Sequence, residues 1–251
     1  MEAISSIEAL LNRNKKLNPN SGTERWRTPF IVAGTRSDDE VRDTPLAFLI
    51  EMTPDSTLPT HFHPVDQFQV FVSGSGLLGK HATNGIAIHY ADRHTAYGPI
   101  TAGAQGVAYF TLRAKNDARG MFVNKPGARE LLKSSKRRFR MTENVVLSIP
   151  PVLSELQQPV TESLLDESAN DSHDGLGAFV LRMGAHAKLQ GPSPAGSGGQ
   201  FYVIVSGSLF KENTEMPVWS LLWAGPDEVA PELTAGPGGA EVLVTQFPQP
   251  D

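Results

Sequence analysis

The chain has no cysteine among its 251 residues. That excludes disulfide staples and thiolate ligation, and leaves any metal chemistry to nitrogen and oxygen donors. It also has no apolar run near the ~18 residues that a membrane-spanning helix needs. Positive charge is in deficit, with 22 Lys and Arg against 27 Asp and Glu and a net charge of −5. An acidic balance disfavours nucleic acid as a partner. Turn formers, in contrast, are plentiful: 23 Gly and 19 Pro in a chain that is 39% hydrophobic. This composition suits a soluble, all-β protein, and the length leaves room for one large domain or two ordinary ones that each bury a core.

From the N-terminus, Ile4, Ile7, Leu10 and Leu11 recur at helical spacing before Asn18 and Pro19. They predict a short amphipathic helix within residues 1–17, and the acids Glu2 and Glu8 make it neither a signal peptide nor a membrane anchor. Strands are predicted over 26–32, 46–52, 67–72, 77–80, 86–90, 94–100 and 107–113, with an acidic loop at Asp38, Asp39 and Glu40 and a turn at Gly74–Gly76. A brief helix is expected over 128–133. Lys133, Lys136, Arg137, Arg138 and Arg140 form a basic cluster, read as a solvated linker face. Residues 164–175 read as a loop.

The second half repeats the first. Residues 67–75 read QFQVFVSGS and residues 200–208 read QFYVIVSGS, seven of nine identical at an offset of 133. Thr101-Ala102-Gly103 recurs as Thr234-Ala235-Gly236 and Gly106 as Gly239 at the same offset. Ala47-Phe48 and Met52 recur as Ala178-Phe179 and Met183 at 131. A period this long marks a duplicated domain rather than a solenoid. The expected division is 1–125 for the helix and first barrel, 126–145 for a basic linker, and 146–251 for the second barrel.

Chemistry concentrates in the first copy, where five of the seven histidines lie between positions 61 and 94. His61 and His63, two apart on an extended segment, point the same way, and a bend at Pro64 lets Gln67 reach the same point. The second copy has no imidazole in the matching segment 190–199, which reads as a Gly-, Pro- and Ser-rich loop, and His186 falls level with Asp55 instead.

The spacing resembles the first motif of the cupins: His-x-His, three or four residues, Glu, six residues, Gly. Here it is met by His61, His63, Gln67 in the glutamate position, and Gly74; Asp55 stands where the family has an earlier glycine. The resemblance implies two tandem cupin-like antiparallel β-barrels (jelly rolls), a bicupin, with a divalent transition metal (Fe, Mn, Ni or Zn) in the first barrel only. The family draws its fourth ligand from a second motif, and two registers compete for it. One places His94 as the donor; the other places Tyr97 there, with Tyr97-Gly98-Pro99 matching a His-Gly-Pro ending. The two have opposite parity on a strand. The expected ligands are His61, His63, Gln67 and His94, with Tyr97 as proton donor or hydrogen bond to substrate. Gln69, Phe71 and His89 are candidate substrate contacts.

A glutamine brings no charge, so a metal held this way keeps its full +2 and favours an anion in its open position. The resemblance therefore implies an enzyme acting on a small organic anion: a dioxygenase, isomerase or lyase. The alternative is a binding or sensing module with an empty or weak metal site. A cytoplasmic location, a small-molecule ligand and a homodimer, with no nucleic-acid or membrane partner, complete the expectations.

Overall fold

The computed structural model describes residues 1–17, 22–32, 41–117, 120–135, 139–142, 144–165 and 174–250. The acidic loop at 38–40, most of the 164–175 loop and the basic residues 136–138 lie outside the described residues. By its contacts the chain divides into one unit of Asn12–Val145 and another of Met1–Leu11 with Val146–Asp251.

The chain opens with strand β1 (Glu2–Ile4) and a five-residue helix α1 (Ser6–Leu10). The unit of Asn12–Val145 then contains β2 (Asn14–Leu17), β3 (Glu24–Ile31), β4 (Leu46–Met52), β5 (Thr57–Leu58), β6 (His61–Phe62), β7 (Gln67–Leu78), β8 (His81–Asn84), β9 (Ala87–Ala91), β10 (Ile100–Arg113), β11 (Met121–Phe122) and β12 (Arg140–Met141). Its main sheet runs β12-β9-β7-β10-β4-β3-β2, with β5 on β10 and β8 on β7, and β6 pairs with β11. The other unit adds α2 (Pro150–Ser154), β13 (Val160–Ser163), β14 (Gly177–Met183), β15 (Lys188–Gln190), β16 (Gln200–Lys211), β17 (Thr214–Pro217), β18 (Leu221–Ala224) and β19 (Glu232–Gln246). Its sheet runs β1-β18-β16-β19-β14-β13. All strand pairs are antiparallel, and no helix among the described residues is long and apolar enough to cross a membrane.

The duplication is visible in the backbone register. Gln67 pairs with Ala91 and Gln200 with Ala224; Met52 pairs with Val107 and Met183 with Ala240. Gly74 and Gly207 both have positive φ, and a Cβ on either would meet the carbonyl oxygen of Gly106 or Gly239 at 2.2 or 2.0 Å. Only glycine lets those strands approach so closely in that conformation. Asp55 and His186, matched in sequence, share φ of 55° and 57°.

Several expectations differ from what forms. The helix within 1–17 shrinks to α1, where Ser5 Oγ accepts from Ile7 N, because both flanks find strand partners instead. A short helix draws its stability from tertiary contacts, and here sheet pairing wins. β1 pairs with β18, and Ser6 N donates to Ser220 Oγ, so the N-terminal segment joins the C-terminal unit rather than the first barrel. No turn forms at Gly74–Gly76. β7 continues through it, and the irregularity appears as register shifts against β10. Residues 94–99 form no regular strand: His94 has φ 59° and Thr95 closes a turn onto the Asp92 carbonyl. The brief helix is a single 3₁₀ turn, Arg129–Leu131.

The interiors of the two barrels differ. Position by position, Gln69, His89, Tyr109, Thr111 and Arg113 of the first become Tyr202, Leu222, Val242, Val244 and Gln246 of the second. Tyr202, Leu222, Val242 and Val244 join Leu181, Ile204 and Met216 in one buried apolar cluster of the second barrel.

Candidate functional site

Strand alternation sets what the first barrel shows to its interior. Arg25 and Arg27 on β3, Phe48 and Ile50 on β4, Gln67 and Gln69 on β7, and Tyr109, Thr111 and Arg113 on β10 all share the inward parity. They line a cavity of about 1040 Å³ together with Lys16, His61, His63, Tyr97, Met121, Phe122 and Lys125, among others. Among the described residues that line it, five are basic (Lys16, Arg25, Arg27, Arg113 and Lys125) and none is acidic. Arg25 Nε is buried there with no hydrogen-bond partner.

At one part of this cavity the polar side chains form a continuous circuit. Asp117 Oδ2 accepts from His63 Nδ1 at 2.6 Å, and Arg113 donates from its terminal nitrogens to Asp117 Oδ1 and to His63 Nε2, the latter at 2.9 Å. Arg113 Nε donates to Gln67 Oε1 at 2.8 Å. Gln67 Nε2 donates to the Tyr97 hydroxyl at 2.5 Å, and that hydroxyl donates to His61 Nε2 at 3.0 Å. His61 Nδ1 donates to the Pro59 carbonyl at 2.9 Å. These partners assign the tautomers: each imidazole carries its proton on Nδ1 and accepts at Nε2.

Electrostatics follow from burial. Burial, then the neighbouring His63, lowers the His61 pKa to about 3, so this imidazole is neutral at pH 7. Burial likewise raises the Tyr97 phenol well above its usual 10, keeping it a donor. Asp117 behaves differently. Burial opposes its ionisation, but the Arg113 charge and the His63 hydrogen bond outweigh burial and hold its pKa at about 2.

Of the residues expected from sequence, His61, His63, Gln67, Gln69 and Tyr97 do meet at the cavity. Of the two residues in competing registers, Tyr97 is the one that lies beside His61, bridging to it through backbone and side chain alike. His94 is a correction. Its positive φ takes it out of strand parity, and its Nδ1 bonds the Leu131 carbonyl at 3.1 Å, outside the cavity. Phe71 packs against Tyr109 in the barrel core and does not line the cavity. His89 does not line it either: it is fully buried, bonds Gln69 Oε1 through Nδ1 at 3.0 Å, and leaves Nε2 without a partner.

Arg113, Asp117, Arg25 and Arg27 were not singled out in the sequence. For the three arginines the inward parity beside Trp26, Tyr109 and Thr111 was the available signal. Gly120 is a further one. A Cβ there would lie 2.9 Å from His63 Cε1 and 3.2 Å from His61 Cδ2, so the chain passes directly over both imidazoles.

The donor set does not fit a divalent metal as it stands. His61 Nε2, His63 Nε2 and Gln67 Oε1, the lone pairs a metal would take, already accept from Tyr97 and Arg113. A buried guanidinium stands among them, and no group of three His, Cys, Asp or Glu side chains suited to a metal occurs among the described residues.

No family model matches the sequence, and no curated protein matches it. Solved structures do match in fold. A candidate dioxygenase of Nostoc punctiforme aligns at 10% identity and TM-score 0.59, over 99% of this chain and 82% of that one. A pirin of Escherichia coli in complex with nickel(II) aligns at 10% identity and TM-score 0.57, over 99% of both chains. An oxalate decarboxylase of Bacillus subtilis aligns at 8% identity and TM-score 0.56, over 100% of this chain and 78% of that one.

Proposed function

We propose, for a chain that has the fold of a bicupin, that its first barrel captures a small organic anion with an apolar body while its second barrel serves as a filled, structural partner. The observation that carries this reading is the cavity lining, five basic side chains and no acid among the described residues. Arg25, with an unpartnered buried Nε, supplies charge to the cavity, and Arg27 lines it from the same strand. Leu46, Phe48, Ile50, Leu58, Met121 and Phe122 supply an apolar wall for the rest of the molecule. A cavity of this size is far larger than oxalate, so an aromatic or branched carboxylate suits it better.

Thermal shift and calorimetric titration with benzoate, phenylacetate, oxalate and neutral benzamide test the proposal. Benzoate and phenylacetate are expected to bind, benzamide not, and Arg25→Ala is expected to weaken both acids. Equal binding of benzamide and benzoate would refute the electrostatic argument.

A metal-dependent dioxygenase, isomerase or lyase is the second reading. It is favoured by the convergence of His61, His63, Gln67 and Tyr97, and opposed by the engagement of their lone pairs. A cytoplasmic homodimer is proposed from the sequence alone, and light scattering of the purified chain checks the dimer.

A further inference from the structure

We propose that the guanidinium of Arg113 takes the place of a metal ion among the motif side chains, so that the first barrel is organised around a built-in organic cation. Three independent observations carry this inference. First, one guanidinium satisfies the acceptor of Gln67 and that of His63 at 2.8 and 2.9 Å, the two groups that would otherwise face a metal together.

Second, the placement is set by strand register rather than by a free rotamer. Leu112 pairs with Phe68, so Arg113 falls opposite Gln67, and the equivalent pair in the second barrel, Gln200 and Gln246, are Cα partners bonded at 2.5 Å. The duplicated fold thus brings these two positions together in both copies, and the first copy uses the contact to insert a charge.

Third, the charge is provided for. Asp117 is buried with Arg113 and holds it and His63 with its two oxygens. Gln67 is suited to this arrangement in a way glutamate is not. Its amide oxygen accepts from Arg113 while its amide nitrogen donates to Tyr97, and a carboxylate has no proton for the second bond. Glutamine at 67 and arginine at 113 are therefore suited to each other in this centre. An arginine cation stays protonated at every working pH, so this centre keeps its charge in the presence of chelators.

The inference is separate from the identity of the organic anion, since its readout is metal alone. Protein purified without chelator is titrated with Ni(II), in parallel with His63→Ala, with Arg113→Leu/Gln67→Glu and with that double variant carrying His63→Ala. The expected result is no Ni(II) bound by the wild type, one equivalent bound by the double variant, and loss of that equivalent on removing His63. One equivalent of Ni(II) on the wild type that disappears in His63→Ala would overturn the proposal, as would a folded double variant that gains no metal. Should the double variant fail to fold, histidine-selective NMR of the wild type decides: paramagnetic broadening of His61 and His63 by Ni(II) refutes the proposal, and unchanged resonances support it.

Discussion

Replacing Asp117 by Asn removes the carboxylate that holds Arg113 and His63 while keeping its shape. The side chains of Asp117 and Arg113 are 1% and 5% exposed, so solvent screens them little. Lowering a carboxyl from 3.8 to about 2 corresponds to about 2 kcal/mol of stability at neutral pH. Removing one partner of a buried pair costs more, about 3–5 kcal/mol, because the guanidinium is left uncompensated. The variant should therefore lose between these figures, a fall in Tm of about 5–20 °C for a chain of this length. Urea denaturation of the wild type, Asp117→Asn and Arg113→Leu/Asp117→Leu measures it, and the double variant should be more stable than the single one. The sign with pH is also fixed. The Asp117 contribution is present above about pH 4 and fades as pH falls through about 2, and the Asn variant should lack that limb. A single variant within about 0.5 kcal/mol of wild type would refute the reasoning.

Three further outcomes follow from the same geometry. His61 and His89 are both buried and held near 3, so each imidazole binds a proton in the unfolded chain that it refuses in the folded one as pH falls below 6.5; each should cost about 1 kcal/mol of stability per pH unit between about pH 5.5 and 4, and His89→Leu should make the slope shallower in pH-dependent denaturation. Gly74→Ala and Gly207→Ala should each destabilise by more than about 1 kcal/mol in urea titrations, since each new Cβ meets a carbonyl oxygen from a backbone at positive φ. Gly120→Ala should push on His63 and His61 and weaken benzoate binding by about tenfold, with calorimetry as the readout.

Much of the fold was legible because a duplicated β architecture writes itself twice. The match of 67–75 with 200–208 predicted equivalent strands, and the pairs Gln67–Ala91 and Gln200–Ala224 show equivalent register. Period-two patterning also placed His61, His63, Gln67 and Gln69 on the inner face. Patterning failed where the backbone leaves strand geometry. In sequence His94 is the preferred donor over Tyr97, and its φ of 59° with its bond to the Leu131 carbonyl places it away from the cavity. Gly74–Gly76 read as a turn because glycine serves both turns and close strand contacts. The N-terminal segment's choice of β18 as a partner depends on tertiary pairing that no local pattern reports. Arg113 carried a readable signal, a charge at inward parity. Asp117 did not, since a loop brings it under the arginine.

A crystal structure of the protein with benzoate, recorded with an anomalous scan for metals, tests the central claim most directly. The account predicts a carboxylate within hydrogen-bond distance of Arg25 or Arg27 in the first barrel, an intact Arg113–Gln67–His63 arrangement, and no ligand inside the second barrel. A metal peak on His61 and His63 with Arg113 swung away would contradict it.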